Sequence, residues 1–283
     1  MQVLRSAEEL RRSLCAERRA GREIGFVPTM GALHEGHRAL LRASASECRV
    51  SVLSVFVNPL QFGPGEDLER YPRTLDADLE VARAERVGYV FVPEPAELYP
   101  PPVLTTVHVA GITEPLEGAF RPGHFDGVAT VLTRLFGVVG CCRAYFGEKD
   151  FQQLLVVRQM VTELRMPVEV VGCPTVREHD GLARSSRNRR LDPAARAAAP
   201  CLYRALRAGA EAVAAGEADP GVVRERMAQV IASEPLARAD YLEVVDPACL
   251  VAPERIAAPV RLLGAVHLGD VRLIDNLAAA PAS

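Results

Sequence analysis

The chain has 283 residues, 49% hydrophobic and 24% charged, with a formal net charge of -3 at pH 7. That length favours a large domain with a smaller one attached, and the charge balance supplies no broad positive field for nucleic acid or anionic lipid, which leaves a small-molecule partner. No apolar run approaches the roughly 20 residues that span a bilayer, and seven scattered cysteines, two of them the adjacent pair Cys141 and Cys142, suit reduced thiols in the cytoplasm better than a disulfide or metal framework.

The N-terminus mixes Arg5, Glu8, Glu9, Arg11 and Arg12 and lacks the apolar core of a signal peptide, so the mature fold is expected to start here. Ser6 with Glu9 three positions on predicts a helix opened by a capping box. Residues 24–27 read as a strand that stops at Pro28, with the next helix opening near Gly36. Residues 50–57 carry four valines in a nearly unbroken apolar run, as in a parallel strand buried on both faces. A helix over 76–86 and a strand over 89–92 follow. The proline-rich stretch 93–102 reads as a surface connection, with sheet-forming segments expected to resume at Thr105. Helix 128–139, strand 143–146, helix 152–164 and strand 168–172 continue the alternation. It predicts an α/β fold, a doubly wound, Rossmann-like parallel sheet occupying residues 1–175. Beyond Pro174 the pattern changes. Asp192-Pro193 signals a helix start, an alanine-rich helical region and a helix over 222–231 come next, and strands at 241–245, 260–266 and 271–274 suggest a short antiparallel sheet. Residues 176–283 are therefore expected to form a smaller C-terminal α+β domain.

Three segments carry chemistry. Pro28-Thr29-Met30-Gly31-Ala32-Leu33-His34-Glu35-Gly36-His37 lies between the first of these strands and the next helix, where a parallel sheet presents helix-terminal N–H groups to phosphates. His34 and His37 are three apart and share a helix face, where each imidazole can donate to oxygens of an α-phosphate as charge builds in the transition state. Two incidental surface histidines or two metal ligands remain alternatives on this motif alone. His108, His124, His179 and His267 are isolated and read as structural or surface residues.

The second segment is Phe146-Gly147-Glu148-Lys149-Asp150, at the end of another strand. Lys149 is the only lysine among 33 basic residues, which points to a site wanting a compact ammonium at a nucleotide phosphate. A solvated Lys149–Asp150 pair is the alternative. The third is Arg184-Ser185-Ser186-Arg187-Asn188-Arg189-Arg190, a basic loop able to neutralise departing pyrophosphate, or else a solvated linker. Asn58, Gln61, Gln152 and Gln153 offer amides for the hydroxyl and carboxylate groups of a small acid.

Taken in order, Pro-Thr-Met-Gly-x-Leu-His-x-Gly-His, Phe-Val-Asn-Pro-x-Gln-Phe, Tyr-Pro-Arg-Thr at 71–74, Arg-Pro-Gly-His-Phe at 121–125, Phe-Gly-Glu-Lys-Asp and Ser-Ser-Arg-Asn resemble the pantothenate synthetase (pantoate:β-alanine ligase) family, within the His-x-Gly-His nucleotidyltransferases, along nearly the whole chain. The resemblance implies attack of (R)-pantoate on the α-phosphate of ATP, release of pyrophosphate, and displacement of AMP by β-alanine. It also implies a C-terminal domain acting as a lid, a cytoplasmic homodimer, and Mg²⁺ carried with ATP, with Asp78 as the candidate ligand. ATP contacts are implied for Met30, Gly31, Ala32, Leu33, His34, Glu35, Gly36 and His37, for Gly147, Glu148, Lys149 and Asp150, and for Val176, Arg184, Ser185, Ser186 and Arg187. Gln61 and Gln153 match pantoate-binding positions, with Asn58 beside them. His37, His34, Lys149 and Arg187 are the catalytic candidates. Where the family usually has methionine before Ser-Ser-Arg-Asn this chain has Arg184, which predicts a stronger hold on phosphate. A different nucleotidyltransferase or a silent ATP-binding protein are the competing readings.

Overall fold

The computed structural model describes residues 1–63 and 68–282. Six parallel strands, β1 (Gln2–Leu4), β2 (Ile24–Thr29), β3 (Val50–Val55), β4 (Tyr89–Phe91), β5 (Cys142–Gly147) and β6 (Val168–Cys173), form one sheet in the order β1-β4-β3-β2-β5-β6. The helices between them are α1 (Ala7–Arg19), α2 (Glu35–Glu47), α3 (Leu75–Ala84), the short α4 (Pro95–Leu98) and α5 (Glu117–Phe120), α6 (His124–Val139) and α7 (Phe151–Glu163). Successive strand residues point to opposite faces, and both faces are covered. Phe26, Val52 and Phe91 pack with Leu10 and Leu14 of α1 and with Leu132 and Phe136 of α6, whereas Val27, Leu53 and Val90 pack with Leu41 of α2 and Ala82 of α3. This is the doubly wound sheet the alternation predicts.

The chain divides into two units by its internal contacts, Met1–Glu148 with Gln152–Pro174, and Lys149–Phe151 with Thr175–Ser283. The second holds α8 (Pro193–Ala198), α9 (Cys201–Ala214), α10 (Pro220–Ala232) and an antiparallel sheet of β7 (Ala237–Val245), β8 (Val260–Leu268) and β9 (Val271–Ala279). Its own core joins Leu202, Leu206, Met227, Leu262 and Val266.

Several expectations need correction. β2 does not stop at Pro28 but runs through it, pairing Pro28 with Ser54 and Thr29 with Val55 on β3. Its register with β5 covers only Gly25 and Phe26, so a proline at 28 lies where that side of the ladder has already ended. No strand resumes at Thr105. That backbone is held by side chains instead, with Arg134 donating to Leu98 O and Thr105 O and Val107 N donating to Thr130 Oγ1. Of the box at Ser6 only half forms: Ser6 Oγ accepts from Glu9 N, and the next amide of the helix start, Ala7 N, donates to Glu97 Oε1 at 2.7 Å. The edge strand β1 carries no period in three residues and escaped the sequence reading. The alanine-rich region is two helices, broken at Pro200.

Candidate active site

β2 is the point where the strand order reverses, since β3 and β4 lie on one side of it and β5 and β6 on the other. In open parallel sheets such a switch point leaves a crevice at the carboxyl ends of the strands. The carboxyl end of β2 leads into residues 30–37, and β5 ends at Gly147, two residues before Lys149.

The loop after β2 is shaped by backbone conformations that side chains rarely adopt. Gly31 has φ +81° and Ala32 φ +50°, and a Cβ at Gly31 would meet Asp78 Oδ2 at 2.9 Å and Val55 Cγ1 at 3.1 Å. Asp78, 2% exposed, holds the turn: its Oδ2 accepts from Ala32 N at 3.0 Å and its Oδ1 from Leu33 N at 2.7 Å, with Thr74 Oγ1 donating at 3.3 Å. Thr29 Oγ1 accepts from Gly31 N and donates to Ser54 O. Asp78 is thus the anchor of the loop, with each carboxylate oxygen accepting from one of its N–H groups. Among the described residues no group of three or more His, Cys, Asp or Glu side chains is arranged to hold a metal.

At the start of α2 the two histidines form the capping arrangement themselves. His34 Nδ1 accepts from Gly36 N at 3.1 Å, His37 Nδ1 accepts from His34 N at 3.3 Å, and the rings lie against each other, tilted by 38° with centroids 4.1 Å apart. A neutral imidazole has one acceptor and one donor nitrogen, so the bonds at Nδ1 assign the proton of each ring to Nε2. Each ring is thereby a donor whose orientation the helix terminus fixes. Glu35, between them, ion-pairs with Arg42 at 2.5 Å, and Met30 and Gly36 are half-buried.

The amides divide sharply. Asn58, 1% exposed, is saturated: Nδ2 donates to Gln61 Oε1 and Gly127 O, both at 3.0 Å, while Oδ1 accepts from Leu60 N at 3.3 Å and from Tyr99 OH at 2.6 Å. Burial pushes the Tyr99 phenol well above its ordinary pKa, which keeps it a donor. Asn58 thus serves Gln61 rather than a ligand, and by occupying Oε1 it makes the amide nitrogen the end that Gln61 presents. The backbone of Gln61 is fixed too. His124 Nδ1 donates to its carbonyl at 2.9 Å and Arg121 at 3.4 Å, and Gly127 of α6 lets the turn approach so closely that a Cβ there would lie 2.3 Å from Leu60 O. His124, read from sequence only as isolated, is a buried support of this turn. Gln152 is likewise structural, donating to Ile112 O and Pro115 O at 2.8 Å and accepting from Glu117 N. Gln153 is half-buried on α7.

Within the second unit a concavity gathers Lys149, Ser185, Arg187, Asn188, Arg272 and Asp275. Lys149 contacts Asp150 at 3.4 Å, with the lysine side chain 15% and the aspartate side chain 47% exposed. Ser185 caps the turn Ser186–Arg190 by accepting from Arg187 N at 3.3 Å. Gly147 and Glu148, in the first unit, are half-buried at the end of β5. Val176 contributes its backbone: Arg184 N donates to Val176 O at 2.9 Å, closing a hairpin over 176–184. The Arg184 guanidinium pairs with Glu178 at 3.1 Å across that hairpin. The extra charge expected from the departure at 184 is locally compensated.

Three comparisons extend this geometry. The sequence profile of the family described as Pantoate-beta-alanine ligase matches residues 2–278. The pantothenate synthetase of Herpetosiphon aurantiacus is 51% identical over 278 residues, 98% of this chain and 99% of that one. Among solved structures, the pantothenate synthetase of Thermus thermophilus superimposes with a TM-score of 0.93 at 49% identity, covering 98% of this chain and 99% of the other. The pantoate-beta-alanine ligase of Francisella tularensis, crystallised with beta-gamma ATP and beta-alanine, gives a TM-score of 0.82 at 30% identity, covering 98% and 97%.

Proposed function

The chain belongs to the pantoate-beta-alanine ligase family, and from that premise we propose how its residues divide the reaction. The enzyme condenses pantoate with β-alanine at the expense of ATP. A free carboxylate is a poor acyl donor, so the acid must first be activated. In the proposed route a carboxylate oxygen of (R)-pantoate attacks the α-phosphorus of ATP, the bond to the bridging oxygen breaks, and pyrophosphate leaves. The amine of β-alanine then attacks the acyl carbon of pantoyl adenylate, and AMP departs as the amide forms and the nitrogen loses a proton. Holding both reactants replaces two bimolecular encounters by steps within one complex.

The observation that carries the residue assignment is the histidine pair at the switch point, with both Nδ1 atoms engaged at the helix terminus. His34 and His37 present Nε2–H donors to the α-phosphate oxygens, where negative charge accumulates during transfer. Residues Met30, Gly31, Ala32 and Leu33 bring backbone close to the nucleotide. Gln61 and Gln153 donate to the carboxylate and hydroxyl groups of pantoate, and Asn58 orients Gln61. Lys149, Ser185, Ser186 and Arg187 bind triphosphate oxygens and the departing pyrophosphate. Magnesium bound to ATP would supply further neutralisation at the phosphates.

The test supplies ATP, Mg²⁺, pantoate and β-alanine and follows the products. AMP and pantothenate should appear together, with pyrophosphate exchanging into ATP when pantoate is present without β-alanine. Release of ADP would overturn the adenylate route. A cytoplasmic homodimer is the assembly that family resemblance implies, and a monomer mass by light scattering would reject it.

A further inference from the structure

Lys149 follows a strand of the parallel sheet, yet the contacts of Lys149–Phe151 place it with the C-terminal unit. The cause is a small set of side chains on the antiparallel sheet. Asn276 of β9, 3% exposed, donates from Nδ2 to the carbonyl of Lys149 at 2.8 Å. Its Oδ1 accepts from Arg261 Nε at 2.7 Å, which fixes which way the amide faces. The Arg261 guanidinium lies over the Phe151 ring, 4.2 Å from its centroid. Asn276 and Arg261 thus hold the two ends of the three-residue segment that carries the only lysine of the chain. The neighbouring Asp275 braces the backbone of Asn276: it forms a two-point pair with Arg177 at 2.6 and 3.0 Å and accepts from Asn276 N at 2.8 Å.

We propose that Asn276 is the positioning residue of Lys149, with Arg261 orienting its amide, so that the terminal strand β9 sets where the lysine ammonium meets the ATP phosphates. The proposal rests on the role given to Lys149 above. A lysine side chain has four rotatable bonds, and its head is aimed only as well as its backbone is held. An amide donor buried against that carbonyl cannot be replaced by water at equal precision. Misplacing a reacting or charge-stabilising group by about 1 Å costs on the order of a hundredfold in rate.

The test is a double-mutant cycle read in the adenylation half-reaction, by pantoate-dependent pyrophosphate exchange. Asn276→Ala should lower the exchange rate at saturating substrates about tenfold while leaving the KM for pantoate unchanged. In a Lys149→Ala background the same substitution should cost nothing further, because the two act through one group. Arg261→Met, which keeps an apolar stem over Phe151 but removes the donor to Asn276, should give a smaller loss of about threefold, also absent without Lys149. Equal losses in the presence and absence of Lys149, or full activity in Asn276→Ala, would overturn the proposal. Full activity in Lys149→Ala would instead overturn the role of the lysine, so the two failures are distinguishable. If Asn276→Ala does not fold, the cycle with Arg261→Met decides.

Discussion

An imidazole at a helix start has two separate jobs open to it, and the proposed assignment gives both to His34 and His37. Nδ1 satisfies a helix N–H that would otherwise lack an intrahelical partner, and under the proposed function Nε2–H is the donor that meets the nucleotide. His37→Ala should raise the barrier by about 3 kcal/mol, on the order of a hundredfold in turnover. It should lower stability by only about 1 kcal/mol for the lost cap. AMP release and a thermal melt measure the two effects on one variant; turnover near the wild-type value would remove His37 from the chemistry. Asp78 makes a second residue-scale test. Asn in its place would face a backbone N–H with an amide N–H, a mismatch costing about 2 kcal/mol, and should raise the KM for ATP. As a loop anchor it gives a defect that persists at every Mg²⁺ concentration. Recovery of the KM on adding magnesium would restore it as a metal ligand.

At the scale of elements, the corner proposed to bind the acid depends on how closely α6 approaches the turn Pro59–Gln61. Gly127 permits the contact, with positions for an added Cβ only 2.3 Å from Leu60 O and 2.5 Å from Gln61 N, and His124 on the same helix grips the Gln61 carbonyl. Gly127→Ala should destabilise the fold by about 2 kcal/mol through overpacking. It should also raise the KM for pantoate several times more than that for ATP, a split that initial-rate kinetics would expose. An equal effect on both substrates would mean that α6 does not position Gln61.

At the scale of the whole molecule, the two units have separate cores and separate electrostatic supports. In the antiparallel sheet Asp240 accepts from Arg272 at 2.8 Å and from His267 at 3.0 Å. Burial raises its pKa, but the hydrogen bond from Arg272 and the positive charges of His267 and Arg272 outweigh it, and the net shift is downward. A carboxyl depressed in the folded state contributes stability above its unfolded pKa, about 3.9, and loses that contribution as pH falls through the lower folded value. Asp240→Asn should therefore cost about 2 kcal/mol at pH 7 and flatten the dependence of melting temperature on pH below about 4. An unchanged acid limb would show that the shift is not coupled to folding.

The amino-acid sequence by itself determined most of the elements, though not β1 or the end of β2, and the motifs at the strand ends. The valines of 50–55, the period of α6 and the Asp192-Pro193 start are local patterns that local physics reads. Uninterrupted motifs such as His34-Glu35-Gly36-His37 keep their meaning wherever the strand places them. Tertiary structure alone decided which polar groups are spent on the fold. Asn58, Gln61, Gln152 and Gln153 are alike as side chains, yet Asn58 and Gln152 are saturated by backbone and side-chain partners tens of residues away, whereas Gln61 keeps its amide nitrogen to present. Asp78 became a loop anchor, Arg184 acquired Glu178, and Asn276 found the Lys149 carbonyl 127 positions away. No periodicity encodes such pairings, because each hydrogen bond depends on distances of a few tenths of an ångström that only the packed sheet and helices set.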